Sequence, residues 1–136
     1  MDAWNAIDIL IAEDDDMDAE LIIRSLQKLG VRHKCLRVGA GTDALHFLFR
    51  AGKFSTRDAL LPKLLLLDIH MPKLGGLEVL RRLRADANTR HIPVGILTSS
   101  TNHTDFFSSQ EMQVLDYLMK PVSSEALVDL IRQLRL

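Results

Sequence analysis

Cysteine is nearly absent: Cys35 stands alone in 136 residues, which excludes an internal disulfide and a cysteine-rich zinc site. An excess of charge is also missing, since 17 Lys and Arg face 18 Asp and Glu for a formal charge of −1. With no basic stripe either, the bulk electrostatic case for binding nucleic acid falls away. Long hydrophobic runs are lacking. The longest, Leu64 to Leu67, is a small fraction of the roughly 20 residues a membrane helix needs. Met1-Asp2-Ala3-Trp4 has no basic region followed by an apolar stretch, so it does not read as a secretory signal. What is present is an ordinary globular balance, 47% apolar and 26% charged, in a length that suits one domain with a three-layer core. The expectation is a single soluble, cytoplasmic domain over 1–136, with no output domain, binding neither nucleic acid nor membrane.

Ile7 to Ala12 is short, rich in β-branched residues and stops against four acids, which predicts a buried strand. Leu21, Ile22, Leu26 and Leu29 recur at helical spacing over 17–29, with Gly30 as the stop. A second strand fits 34–38. After Gly39-Ala40-Gly41 a helix carries Ala44, Leu45 and Leu48 on one side and ends near Gly52. Residues 52–62 read as a polar, irregular loop closed by Pro62. Leu64–Leu67 is an apolar strand ending at Asp68, and Leu77, Leu80 and Leu83 mark a helix that follows Gly75-Gly76. Val94–Leu97 is a fourth strand, closed by Thr98-Ser99-Ser100, and a helix is expected over about 104–113. Tyr117–Met119 is a fifth strand ending at Lys120-Pro121, and Ser123 suits the N-cap of a final helix with Glu125 in its first turn. Five apolar strands alternating with five helices imply an α/β fold, a doubly wound parallel sheet covered on both faces. Such sheets bind ligands outside the C-terminal ends of their strands.

The residues at those ends are therefore the informative ones. Strand one ends in Glu13-Asp14-Asp15-Asp16, strand three in Asp68, strand four in Thr98 and strand five in Lys120. Converging carboxylates repel one another, and a hard divalent cation relieves them; magnesium takes oxygen ligands, commonly one or two carboxylates plus a phosphate. A lysine and a hydroxyl beside the same place suit phosphoryl oxygens. Taken singly, each has a plainer reading as a solvated loop, a helix cap or a surface charge. Their joint order describes an aspartate that accepts phosphate with metal assistance.

The segments Ile9-Leu10-Ile11-Ala12-Glu13-Asp14-Asp15, Leu66-Leu67-Asp68-Ile69-His70-Met71-Pro72 with Gly75-Gly76, Ile92-Pro93-Val94-Gly95-Ile96-Leu97-Thr98-Ser99-Ser100 and Tyr117-Leu118-Met119-Lys120-Pro121-Val122 resemble a response-regulator receiver domain of two-component signalling. The resemblance covers nearly the whole chain. It is nearest the small stand-alone regulators that partner bacterial phytochrome-type histidine kinases. It implies a flavodoxin-like strand order 2-1-3-4-5, Asp68 as phosphoacceptor, and Mg2+ held by Asp14, by Asp68, by Glu13 through water and by the backbone carbonyl of His70. It implies further that Thr98 bonds the phosphoryl group, that Lys120 neutralises it across a cis Lys120-Pro121 bond, and that Tyr117 reorients with Thr98 as the switch. A sensor histidine kinase would be the partner. The face made by the helix over 104–113, the fifth strand and the final helix, with Phe106 or Phe107 and Tyr117, is a candidate homodimer surface.

The chain departs from the family pattern at several places. Ala40-Gly41 stands where Asp-Gly is common and is expected at the surface; Gln113 replaces a glycine; Asp16 stands where proline is frequent; His70 is unusual at its position. Cys35 is expected to be a buried small hydrophobe, and Trp4 to cover a sheet edge. The function expected is that of a signalling switch rather than an enzyme, with three rivals. A haloacid-dehalogenase-type phosphatase would need a second aspartate two residues after Asp68, where His70 stands. A phosphorylation-independent receiver-like scaffold would not need the acids, Thr98 and Lys120 all together. A flavin binder of the same architecture would need a hydroxyl-rich loop after strand one, where the acids would repel the flavin phosphate.

Overall fold

The apolar runs that acids and turns bound in the sequence become strands: β1 (Ile9–Ala12), β2 (Cys35–Val38), β3 (Leu64–Asp68), β4 (Val94–Thr98) and β5 (Asp116–Met119). In the computed structural model, which describes residues 4–29, 34–99 and 113–135, they form one parallel sheet in the order β2-β1-β3-β4-β5. β1, β3 and β4 are buried along their whole length, because helices cover both faces of the sheet. Four helices occur among the described residues: α1 (Asp16–Lys28), α2 (Gly41–Leu48), α3 (Gly76–Ala85) and α4 (Ser124–Leu134). Of the expected fifth helix, over about 104–113, only Gln113 lies within the described residues. It is not helical, and it holds the left-handed φ of 47° that the usual glycine would take more easily. Phe106 and Phe107 lie outside the described residues.

Side chains alternate along a strand, so each strand feeds two cores. Ile9, Ile11, Leu64, Leu66, Leu97 and Leu118 pack under α1 and α4, against Ile22, Leu26, Leu127 and Leu130. Leu10, Ala12, Leu65, Leu67, Val94 and Ile96 pack under α2 and α3, against Ala44, Leu48, Val79, Leu80 and Leu83. Capping holds the helix starts. Asp15 Oδ1 accepts the Asp18 N–H at the head of α1, and Ser123 Oγ accepts the Ala126 N–H at the head of α4.

Four expectations need correction. Ala40-Gly41 is not a surface turn. Ala40 is 5% exposed, and a Cβ at position 41 would run into the Leu74 carbonyl, so glycine is required by close approach. Cys35 is only half-buried, because β2 is an edge strand. The stretch after α2 is not a plain polar loop: Gly52–Phe54 makes a 3-10 turn, and both Phe54 and Arg57 are buried. Trp4 packs there, edge-on to Phe54 at 5.0 Å between ring centres, and Phe54 in turn meets Phe47 at 5.2 Å. α2 itself stops at Leu48 rather than near Gly52, and Arg50 turns the chain with a φ of 56°.

Candidate functional site

The chain leaves β1 toward β2 on one side, while β3 lies on its other side, so the crevice between the ends of β1 and β3 is the topological switch point. Glu13 follows β1 and Asp68 ends β3, and both are buried, Glu13 at 0% and Asp68 at 2% exposed. Lys120 follows β5 two strands away and is tethered by its N–H, which donates to the Thr98 carbonyl at 2.8 Å. The Lys120-Pro121 bond is cis, as the resemblance implied. Gly76 lets α3 start directly against the end of β3: a Cβ there would strike the Asp68 carbonyl.

The side chains meet at the Lys120 ammonium. Its Nζ donates to Asp68 Oδ2 at 2.8 Å and lies 2.7 Å from Glu13 Oε1 and 3.7 Å from Asp18 Oδ2. Asp68 Oδ1 accepts the His70 N–H at 3.1 Å, so both oxygens of Asp68 are held. Glu13 Oε2 accepts the Asp15 N–H at 3.1 Å. Glu13 Oε1 is different. It is fully buried and meets the Lys120 ammonium as an ion pair at 2.7 Å. Burial pushes the Glu13 carboxyl up to about 7; neighbouring Asp68 pushes the same way, while Lys120 and the Asp15 N–H pull it down. Burial would lower the Lys120 ammonium, but the hydrogen bond to Asp68 and the contact with Glu13 outweigh it and hold it above the usual lysine range.

Burial and the neighbouring Asp68 raise the Glu13 carboxyl although the Lys120 ammonium stands 2.7 Å away, so one cation only partly offsets the carboxylates gathered here. Among the described residues, Glu13, Asp14 and Asp68 bring one carboxylate oxygen each within 4.8 Å of one another, two from buried side chains and one from an exposed one. All donors are hard oxygens, the set a divalent cation such as magnesium or manganese takes. The residues therefore fit such an ion.

A cavity of about 410 Å³ opens over this cluster, lined by Asp14, Asp15, Asp18, Asp68, His70, Ser99, Lys120 and Pro121. Asp15 and Ser99 stand in the strand-end runs without an assigned role, and Asp18 lies outside those runs. Asp15 and Asp18 had a signal all the same, the acid-x-x-acid spacing of a helix cap, which puts α1's first turn over the acids. Thr98 is 3% exposed at the end of β4, and it is Ser99 that borders the cavity. Tyr117 pairs with Ile96 and packs against the α2–α3 core, which puts it diagonally across from Thr98 on one sheet face. His70 borders the cavity and is exposed. A larger hollow of about 610 Å³ lies below α2, lined among others by Arg50, Arg57, Asn88 and Thr89, and it gathers no acids.

No helix among the described residues is long and apolar enough to cross a membrane. Over residues 9–132 the sequence matches the family of response regulator receiver domains. Response regulator Rcp1 of Synechocystis is 33% identical over 127 residues, 93% of this chain and 83% of Rcp1, and a structure of Rcp1 is known in an Mn2+-bound form. Equally similar by identity is the probable methanogenesis regulatory protein FilR2 of Methanothrix harundinacea, 33% over 135 residues, 99% of this chain and 85% of FilR2. Among solved structures, the bacteriophytochrome response regulator RtBRR superposes with a TM-score of 0.87 at 38% identity, covering 94% of this chain and 77% of its own. The phosphorylated cyanobacterial phytochrome response regulator RcpA does so at 0.76 and 31%, covering 94% of this chain and 90% of its own. With the family match spanning the whole sheet and the acids, aspartate and lysine converging at its switch point, the chain belongs to the response regulator receiver domains.

Proposed function

We propose that Asp68 is the phosphoacceptor of this receiver, taking the phosphoryl group from a phosphohistidine of a sensor histidine kinase with magnesium bound at Glu13, Asp14, Asp68 and the His70 carbonyl. The observation that carries this reading is the convergence of buried Asp68 and Glu13 on the Lys120 ammonium, 2.8 Å and 2.7 Å away, with the Asp14 carboxylate beside them. An Asp68 oxygen attacks phosphorus, the P–N bond of the phosphohistidine breaks, and the imidazole leaves with the bonding pair and takes up a proton. Lys120, already charged and already beside the attacking group, neutralises negative charge on the phosphoryl oxygens without having to be desolvated at that moment. A divalent cation adds the same help and relieves the repulsion among the three carboxylates. The product is an acyl phosphate on Asp68, later cleaved by water, so the chain handles its own phosphate and turns over no metabolite. It is a cytoplasmic signalling switch rather than an enzyme, with 1–136 acting as one receiver unit. Similarity to Rcp1, RcpA and RtBRR favours a phytochrome-type kinase as the donor.

The signal runs from the Thr98 hydroxyl, drawn toward the phosphoryl group, to Tyr117 on the next strand, and changes the face of β5 and α4; the expected third part of that face, the helix over 104–113, lies outside the described residues save Gln113. That face is the proposed homodimer surface. Incubation with acetyl phosphate and magnesium, followed by intact mass, tests the central claim. Wild type is expected to gain one phosphoryl group and Asp68→Asn none; equal labelling of the folded mutant would put the acceptor elsewhere. A chain that never gains mass would favour the scaffold.

A further inference from the structure

We propose that Asp18 selects the phosphodonor by charge, disfavouring small dianionic donors and favouring a protein donor that brings a lysine or arginine to the cavity mouth beside its phosphohistidine. The inference rests on Asp68 as the acceptor. Of the three carboxylates around the Lys120 ammonium, Glu13 and Asp68 are nearest and buried, whereas Asp18 is 3.7 Å away with its side chain 30% exposed on the cavity wall. Lys120 together with a divalent cation would balance Glu13, Asp14 and Asp68, which leaves Asp18 as a weakly offset negative charge where the phosphoryl group enters. Its neighbours on the first turn of α1 are otherwise engaged. Asp15 caps the helix through Oδ1, and Asp16 points away to Arg37, at 2.7 Å, and does not line the cavity. The Asp18 N–H is tied to Asp15 at 2.9 Å, so the helix start fixes where its carboxylate stands. An incoming phosphate-bearing molecule is repelled by that carboxylate in proportion to its own charge, and a cation on the donor turns the repulsion into an ion pair.

Two small donors of different charge separate this effect from a structural one. With acetyl phosphate, a dianion, the Asp68 O–P bond forms as acetate leaves. With phosphoramidate, a net monoanion, the P–N bond breaks and ammonia leaves. Asp18→Asn is expected to raise the second-order labelling rate with acetyl phosphate about threefold more than with phosphoramidate, and added salt to shrink that gain. Asp18→Glu and Asp16→Asn are expected to keep the wild-type donor ratio. Calorimetry of beryllofluoride with magnesium, which transfers no phosphoryl group and exchanges a water or fluoride on beryllium for the Asp68 oxygen, is expected to show tighter binding to Asp18→Asn. An unchanged donor ratio in Asp18→Asn, a rate change equal for both donors, the same ratio shift in Asp16→Asn, or equal beryllofluoride affinity would overturn the inference. Failure of wild type to label at Asp68 with either donor would instead remove the reading of the acceptor beneath it.

Discussion

Two charged side chains are taken out of water at opposite ends of the sheet, and they are treated differently. Beyond the C-terminus of α2, Arg57 is 1% exposed, and its guanidinium donates to the carbonyls of Phe47 at 2.6 Å, Leu48 at 3.3 Å, Asp58 at 2.6 Å and Leu60 at 2.9 Å. It also lies over the Phe47 ring, 4.2 Å from its centre. The Phe47 and Leu48 carbonyls belong to the last turn of α2; the Phe47 carbonyl also takes the Arg50 N–H at 3.3 Å, and the buried guanidinium adds the further donors that the helix end calls for. At the other end, Lys120 has carboxylates in plenty, yet a fully buried Glu13 oxygen goes without a hydrogen bond. Each knot keeps one buried carboxylate oxygen without a hydrogen bond, Asp58 Oδ1 beside Arg57 and Glu13 Oε1 beside Lys120, and what separates them is charge: Arg57 is ringed by neutral carbonyls, whereas Lys120 stands among more carboxylates than it can balance. A buried cation held by neutral carbonyls serves stability, whereas carboxylates that outnumber their cation mark a place where a further cation fits.

The comparison breaks most easily at Arg57. Replacing it with Met keeps bulk but removes a donor from four carbonyls, only one of which, that of Phe47, keeps the Arg50 N–H, and urea melts should show a loss of about 3 kcal/mol. Labelling at Asp68 should persist in the folded fraction, because the site lies at the far edge of the sheet. An unchanged urea midpoint would mean the Arg57 knot is ornament. Glu13→Gln should act in the opposite direction. Without metal, removing one buried carboxylate should stabilise the fold by about 1 kcal/mol, the relief of burial exceeding the loss of a Lys120 contact. Magnesium should then add less stability than it adds to wild type, as thermal melts with and without the ion would reveal; a destabilised Gln variant would show that Lys120 had already satisfied Glu13. The smallest effect is expected at Asp58. Its Oδ2 accepts the Ala6 N–H at 2.9 Å, while its Oδ1 has no hydrogen bond and lies 3.7 Å from Arg57 Nη1. Asp58→Asn keeps the first contact but removes the nearby charge, so it should cost about 1 kcal/mol in the same melts. No loss at all would mean that the four carbonyls alone hold the guanidinium.

How much of this was legible beforehand depended on the range of the interaction. Leu64–Leu67 between a proline and an acid can only be a buried strand, and its period and neighbours sufficed to name Asp68 at its end. Glu13, Asp14, Asp68 and Lys120 were marked because each follows an apolar run, and in this fold strand ends share an edge. Asp18 escaped, since its importance comes from one helical turn folding it back over that edge. Arg57 escaped for a related reason. In a stretch of Lys53, Ser55, Thr56 and Asp58 a lone arginine reads as solvated, and nothing local says that four carbonyls will converge on it. Ala40-Gly41 was misread because the contact that demands glycine, the Leu74 carbonyl, is 33 residues away in sequence.

By itself, then, the order of apolar runs and acids determined the parallel sheet, the covering of both its faces, the family and the edge where chemistry belongs, because hydrophobic period and strand-end position are properties of short segments. Only the tertiary structure decided that Glu13 keeps an unbonded oxygen, that Lys120 is shared among three carboxylates and that Asp18 rather than Asp16 faces the cavity. Those outcomes turn on distances between side chains brought together from β1, α1, β3 and the turn after β5, and a charge's cost or benefit is set by what lies within a few ångströms of it.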